Sequence, residues 1–430
     1  MNNYVNSINL FLRNVLSIGL ILLVLGFYLS PTPGNHERIY LYFIIIPFIL
    51  LLLTSYSDLA PYTNDRLFIV TEIVLLYLTM TVLWRDGFQL IELFPQLRKL
   101  LSITVLLLTV RIALHHYPRL QGIVLLLMSL AACIVACLAL IKFLPTHFET
   151  QARFTPKVGS ILALGRYSNP IRVGWTWGAT ALCTLWIFYS QKGKNYLWLF
   201  LVLPPQLALL VATFSRGPLL AFFICLPIVL FFKRHAVLEK RNLVAVLCFF
   251  AIGISASMAT GLGHKVYSGL TRGRNNFSHE ASQGYSLRIP IWRNVIKQTS
   301  HHIVFGQGFS KENKIILSDK LSFTHSHNFI IDVYRFGGLI GVMLVTMHLL
   351  YCLTIAFRHS PQDHKIWGVL LCYGILCLLT NGKYVLNNLS EFWLIYWLPI
   401  SFIYALRNMA LSTNLPERSH GISLDQASTA

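Results

Sequence analysis

The pentapeptide Thr324-His325-Ser326-His327-Asn328 closes a polar interval that begins near Gly263, and an apolar run of membrane length follows it directly. Within that interval nine lysines and arginines, Arg272, Arg274, Arg288, Arg293 and Lys297 among them, stand against three acids, Glu280, Glu312 and Asp319. An imidazole titrates near neutrality, so a histidine at the lip of a span can accept and release a proton. Arginines hold phosphate-like anions through a planar, permanently charged fork. The chemistry on offer is therefore anion binding beside a proton acceptor. A His-x-His pair can also ligate zinc, but no further ligand stands at a useful spacing. Nor does the chain contain an Asp-x-Asp pair, so a divalent cation would lack oxygen ligands.

The elements that must position these residues are apolar. With 55% hydrophobic and 12% charged residues over 430 positions, and a mean hydropathy of +0.61, the chain is too apolar for a soluble globule. Spans of suitable length occur near 12–30, 39–55, 67–84, 100–115, 120–144, 171–190, 195–214, 217–233, 242–262, 328–357, 364–382 and 390–407. This gives an all-α polytopic membrane protein of about twelve transmembrane helices with both termini on one side. Arg111, His115 and His116 shorten the fourth span. Gly217-Pro218 marks a tight entry into the eighth. The net charge of +19 punctuates the spans instead of forming one basic face, which argues against nucleic acid as a partner. All eight cysteines fall inside apolar runs, where they pack. No small-residue cleavage site precedes the first span, so that span is expected to be retained.

Short basic loops at Lys192-Gly193-Lys194, Lys233-Arg234 with Lys240-Arg241, and Arg358 with Lys365 mark the cytoplasmic side. Arg85, Arg98 and Lys99 then fall outside, as does the long interval 263–327, whose cations run against the charge rule and call for an anionic ligand. Inside that interval Ser286 to Lys297 predicts an amphipathic surface helix with Arg288, Trp292, Val295, Ile296 and Thr299 on one face. A turn is expected at Phe305-Gly306-Gln307-Gly308, and a second short helix over Lys311 to Leu317. Residues 1–410 read as one transmembrane domain, and 411–430 as a disordered cytoplasmic tail.

Several motifs occur in a fixed order. They are Gly165-Arg166-Tyr167-Ser168-Asn169-Pro170, Ser215-Arg216-Gly217-Pro218-Leu219, and Ser286-Leu287-Arg288 with Trp292. Phe305-Gly306-Gln307-Gly308 follows, then His325-Ser326-His327-Asn328 with Asp332 and Gly337-Gly338-Leu339-Ile340-Gly341. Together the set resembles the O-antigen ligase and polymerase superfamily. The resemblance implies a GT-C-like, inverting, metal-independent glycosyltransferase of the bacterial inner membrane, with no cofactor and an active site on the periplasmic face. Its donor would be O-antigen on undecaprenyl diphosphate, and its acceptor the lipid A-core oligosaccharide. An O-antigen polymerase and a protein O-oligosaccharyltransferase are the related alternatives. A twelve-span transporter is the alternative from another class, against which stand the nearly uncharged spans and the absence of visible similarity between halves.

On this reading His327 is the base for an acceptor hydroxyl, and Arg216 and Arg288 neutralise the diphosphate leaving group. Arg166, His325, Asn328, Trp292 and Arg293 are expected around the substrates. Ordinary readings stand beside these: Arg216 snorkelling to headgroups, Arg288 as a solvated or lipid-anchoring charge, His325 orienting its neighbour. Asn328 and Asp332 would fix the first turn of the tenth span, with Asp332 alternatively pairing with Arg335. Gly337 and Gly341 suit close helix packing.

Overall fold

An apolar run without a polar face must satisfy its backbone internally, which a helix does residue by residue. The computed structural model describes residues 2–85, 87, 89–150, 169–191, 195–259, 288–310, 314–318 and 321–412. Among the described residues each apolar run found in the sequence contains helix. These are α1 (Asn2–Leu29), α2 (Pro33–Thr54), α3 (Arg66–Met80), α4 (Leu93–His116), α5 (Leu120–Thr150), α6 (Pro170–Ser190), α7 (Trp198–Ala212), α8 (Arg216–Phe232) and α9 (Lys240–Ala259). After the long polar interval, which contributes α10 (Arg288–Gln298), come α11 (Phe329–His359), α12 (Ile366–Asn381), α13 (Glu391–Ile395) and α14 (Trp397–Ser412). Among the described residues α1, α2, α5, α11 and α12 contain stretches long and apolar enough to cross a membrane, and α7 and α8 are apolar but shorter. The chain is thus a mostly helical, multi-pass membrane protein. Its outward side chains, such as Leu53 and Ile141, are bare to an extent that suits lipid and not water.

The helix-linking segments meet at one end. His327 reaches Asn381, the last residue of α12, Gly174 of α6 lies against Pro218 of α8, and Gly217 lies against Thr380 with no space for a Cβ. The backbone of Phe309 donates to Thr81 beyond α3. Phe309 also stacks on Tyr384, with ring centroids 5.2 Å apart. Short junctions do the steering. Between α7 and α8 only Thr213-Phe214-Ser215 intervene, and Phe214 takes the left-handed conformation at φ +47°, an uncommon state for a bulky residue that only packing can hold. That is the tight entry read from Gly217-Pro218.

Two glycine motifs of the sequence turn out to be partners. Gly338 adopts φ +61° and ψ −159°, a glycine-only conformation that kinks α11. The break frees backbone groups, and the segment 303–309 takes them up. Gln307 N donates to Arg335 O and Gly308 N to Phe336 O, while Leu339 N and Ile340 N donate to Ile303 O and Val304 O. Gly306 and Gly308, both with positive φ, form the expected turn, and a Cβ on Gly306 would strike the backbone of 336–338. Gly337 and Gly341 do pack closely, against Tyr77 of α3, whose hydroxyl donates to Gly337 O at 2.6 Å.

Three expectations need correction. The helix expected over 311–317 is instead a two-stranded antiparallel hairpin, β1 (Ile315–Ser318) with β2 (Leu321–Phe323). β-Branched Ile315 and Ile316 favour extended backbone, and Ile315 is buried against Ile291 and Val295 of α10. The buried face of α10 accordingly runs through Ile291, Val295 and Thr299, and Ile296 is 52% exposed. The last apolar run is not one helix: it breaks at Tyr396 between α13 and α14. The preceding segment 382–390 is irregular yet largely buried, held by Trp393 Nε1 donating to Asn387 O (3.1 Å) and Trp397 Nε1 to Val385 O (3.1 Å). Non-helical backbone at such depth persists where protein groups satisfy it. Arg111 does not interrupt α4: its guanidinium is buried against α14 and donates to Ala405 O. Residues 165–168, all of 263–287, and the tail from 413 lie outside the described residues.

Candidate functional site

The site is built on Ser326, which is fully buried and held from three sides. Its backbone N–H donates to Asp332 Oδ1 (2.8 Å), its carbonyl accepts from Trp292 Nε1 (3.0 Å), and its hydroxyl donates to Asn328 O (2.7 Å). Asn328 caps α11, its Oδ1 accepting from Ile330 N and Ile331 N at 3.0 and 3.3 Å. Between these fixed neighbours His327 is forced to φ +60°. Backbone strain of this kind, about 1–3 kcal/mol, survives where the surroundings over-determine it.

The consequence is a defined ring orientation. His327 Nδ1 lies 2.8 Å from Asn381 Oδ1. An amide oxygen only accepts, so Nδ1 carries the proton and Nε2 presents a lone pair. Burial lowers the His327 pKa from its ordinary value, the Asn381 bond opposes this, and the charge of Arg288 lowers it further. The imidazole is therefore neutral, and fit to accept a proton, at pH 7. Arg288, first residue of α10, is close enough for its charge to be felt at His327.

His325 packs beside His327 with ring centroids 4.3 Å apart, and its Nδ1 is 3.1 Å from Thr324 Oγ1. Its pKa falls to about 4 through burial, then through His327, Lys383 and Arg172. It stands as a neutral neighbour, with no bond to the His327 ring. Arg216 begins α8, and Gly217 beside it abuts Thr380, next to the Asn381 that holds His327. The backbone at Arg216 thus lies beside the same corner.

Four site residues went unremarked in the sequence: Arg172, Asn381, Lys383 and Glu391. Arg172, in the first turn of α6, pairs with the buried Glu391 at 3.6 Å. Burial and the Arg172 charge lower the Lys383 pKa, and Glu391 raises it. These groups surround the histidines with positive charge partly compensated by one carboxylate. Signals existed. Asn381-Gly382-Lys383 is a turn sequence interrupting apolar runs, and Glu391 is the sole acid in its apolar run.

Of the residues expected around the substrates, Trp292 Nε1 and Asn328 Oδ1 are engaged in holding the histidine turn. Arg293 is exposed on α10, away from its buried face, and Arg166 lies outside the described residues. No group of three or more His, Cys, Asp or Glu side chains that could hold a metal ion occurs among the described residues. What the corner can do is hold an anion among arginines beside a neutral imidazole with a free lone pair.

Residues 197–346 match the family model described as O-Antigen ligase. Over 399 residues, 91% of this chain and 90% of the other, the sequence is 25% identical to an O-antigen ligase of Pseudomonas aeruginosa. The matched region contains Arg216, Arg288, His325 and His327. It leaves out Arg172, Asn381, Lys383 and Glu391.

Proposed function

We propose, starting from the O-antigen ligase domain carried by residues 197–346, that the chain transfers a finished O-antigen glycan from undecaprenyl diphosphate to lipid A-core oligosaccharide. The reaction takes place on the periplasmic face of the bacterial inner membrane. The acceptor hydroxyl gives its proton to His327 Nε2 as its oxygen bonds to the anomeric carbon of the donor. The bond from that carbon to the diphosphate oxygen breaks in line, which inverts the anomeric centre, and undecaprenyl diphosphate leaves with the electron pair. Arg216 and Arg288 take up the charge growing on the diphosphate, the part a metal ion plays in other sites.

The observation that carries this reading is the His327–Asn381 hydrogen bond, which fixes the tautomer a general base requires. The near-full-length similarity to a protein named O-antigen ligase favours ligation over polymerisation. The test is reconstitution of the purified chain with lipid-linked glycan and core acceptor. Wild-type protein should transfer glycan in EDTA without added divalent ions. His327→Ala should bind donor normally and turn over about 10² to 10⁴ times more slowly. Near-normal turnover of His327→Ala, or an activity lost in EDTA and restored by magnesium, would overturn the mechanism.

A further inference from the structure

A groove of about 390 Å³ opens at the same end as the histidines, between α2, the start of α4 and the segment leading into α13. Arg38, Arg98 and Lys99 line it, with Glu37 opposing them and Asn388 and Trp393 on the far wall. Arg38 and Arg98 are exposed, and neither guanidinium has an ion pair or hydrogen-bond partner among the described residues. The amide of Asn388 is likewise exposed and uncommitted there. Lys99 Nζ lies 5.2 Å over the Phe309 ring. The floor is rigid, since buried Trp393 meets Tyr40 edge-on at 5.6 Å and Tyr40 donates to Ser102 O.

This groove and the histidine site share a wall. Segment 382–390 supplies Asn388 to the groove and Lys383 to the histidines, and Asn381, which holds His327, precedes it. Phe309, under Lys99, stacks on Tyr384 of the same segment. Another cavity, about 590 Å³, is lined by Lys233, Arg234 and Lys365 at the other end of α8, and there Lys233 is already paired with Asp363 at 2.8 Å. The groove beside segment 382–390 carries two arginines without an ion-pair partner among the described residues and adjoins the histidines.

We infer that the groove between Arg38, Arg98 and Asn388 is a subsite for a phosphate-bearing sugar of the acceptor, which it holds while a hydroxyl of the same molecule reaches His327. Two open guanidinium forks suit a phosphate monoester. A carboxamide and the Glu37 carboxylate suit sugar hydroxyls, which both donate and accept. Three cations against one acid leave the groove positive enough to select a phosphorylated sugar over a neutral one. The assignment of the occupant rests on the proposed ligase reading, whereas the preference for phosphate rests on the groove alone.

The experiment uses the full-length protein in nanodiscs of phosphatidylcholine, with a phosphorylated lipooligosaccharide and its phosphatase-treated form as probes. Wild-type protein should bind the phosphorylated probe more tightly. Arg38→Ala and Arg98→Ala should each weaken it about tenfold, as expected for loss of a charge-assisted hydrogen bond, and the double variant should no longer distinguish the two probes. Donor KM should not change, and Arg98→Lys should recover part of the binding. Equal binding of both probes by wild-type protein overturns the inference, as does competition by phosphatidylglycerol at comparable concentration, which would make the groove a lipid headgroup site. If transfer is never observed but phosphate-dependent binding is lost in the double variant, the catalytic reading fails and the subsite stands.

Discussion

His327 shows how much a single residue's chemistry owes to its neighbours. From the sequence it is an imidazole beside a span. In the structure its turn is fixed by Ser326, its proton by Asn381 and its pKa by burial and Arg288. On the proposed mechanism the rate needs the neutral imidazole, so activity should fall only at a pH below the ordinary histidine value of about 6.5. Arg288→Ala removes a positive charge, raises the pKa of His327 and should move the acidic limb of the pH–rate profile upward, so that the variant loses more activity at pH 6 than at pH 8. Asn381→Asp should move the limb the same way, because a carboxylate favours the imidazolium. Asn381→Ala should slow turnover by about tenfold to a hundredfold, less than His327→Ala, since the base remains but is no longer oriented. A limb unmoved in both charge variants would mean that the titrating group is another. His327, Arg216 and Arg288 could be singled out in the sequence because each sits in one of the ordered motifs and carries a charge or a titratable ring. Asn381 was not, since a neutral amide at a helix end looks like any turn residue until its partner, 54 positions away, is seen.

At the scale of elements, apolar periodicity placed the helices, and the breaks in them escaped it. Hydropathy counts side chains, whereas the kink at Gly338 and the irregular segment 382–390 depend on who satisfies the backbone. The motifs Phe305-Gly306-Gln307-Gly308 and Gly337-Gly338 were each visible, but nothing in either showed that they bond to one another. The hairpin at 315–323 was missed for a related reason: its strands are short, and it exists because Ile315 has a face of α10 to cover. Gly338→Ala puts a side chain into a glycine-only conformation and against Val304 O, so a loss of stability of at least about 1–3 kcal/mol is expected. Thermal unfolding in detergent checks this. Gly34→Ala, where a Cβ meets nothing closer than Thr32 Oγ1 at 4.0 Å, serves as the control. A Gly338→Ala protein as stable as the control would show that the segment 303–309 does not depend on the kink.

Across the molecule, many cations of the described residues gather at two ends. One end gathers the histidines, Arg172, Arg216, Arg288 and Lys383, and the other carries Lys233, Arg234 and Lys365. The positive-inside rule assigns the second end to the cytoplasm. Cysteines introduced at Ser300 and Asn388 should then react with an impermeant thiol reagent from the periplasm, and one introduced at Arg234 should react only after the membrane is opened. Reaction of Asn388→Cys from the cytoplasm would invert the orientation and remove the substrate from the site. The bond from His327 to Asn381 has a consequence for how such enzymes can be recombined. His327 lies within residues 197–346, and the amide that sets its tautomer lies beyond them. The matched region is therefore not a portable module: transplanted into a distant relative, it would bring the imidazole and both arginines but inherit whatever side chain the host offers in place of Asn381, so working chimaeras should be those whose crossover point lies past residue 391.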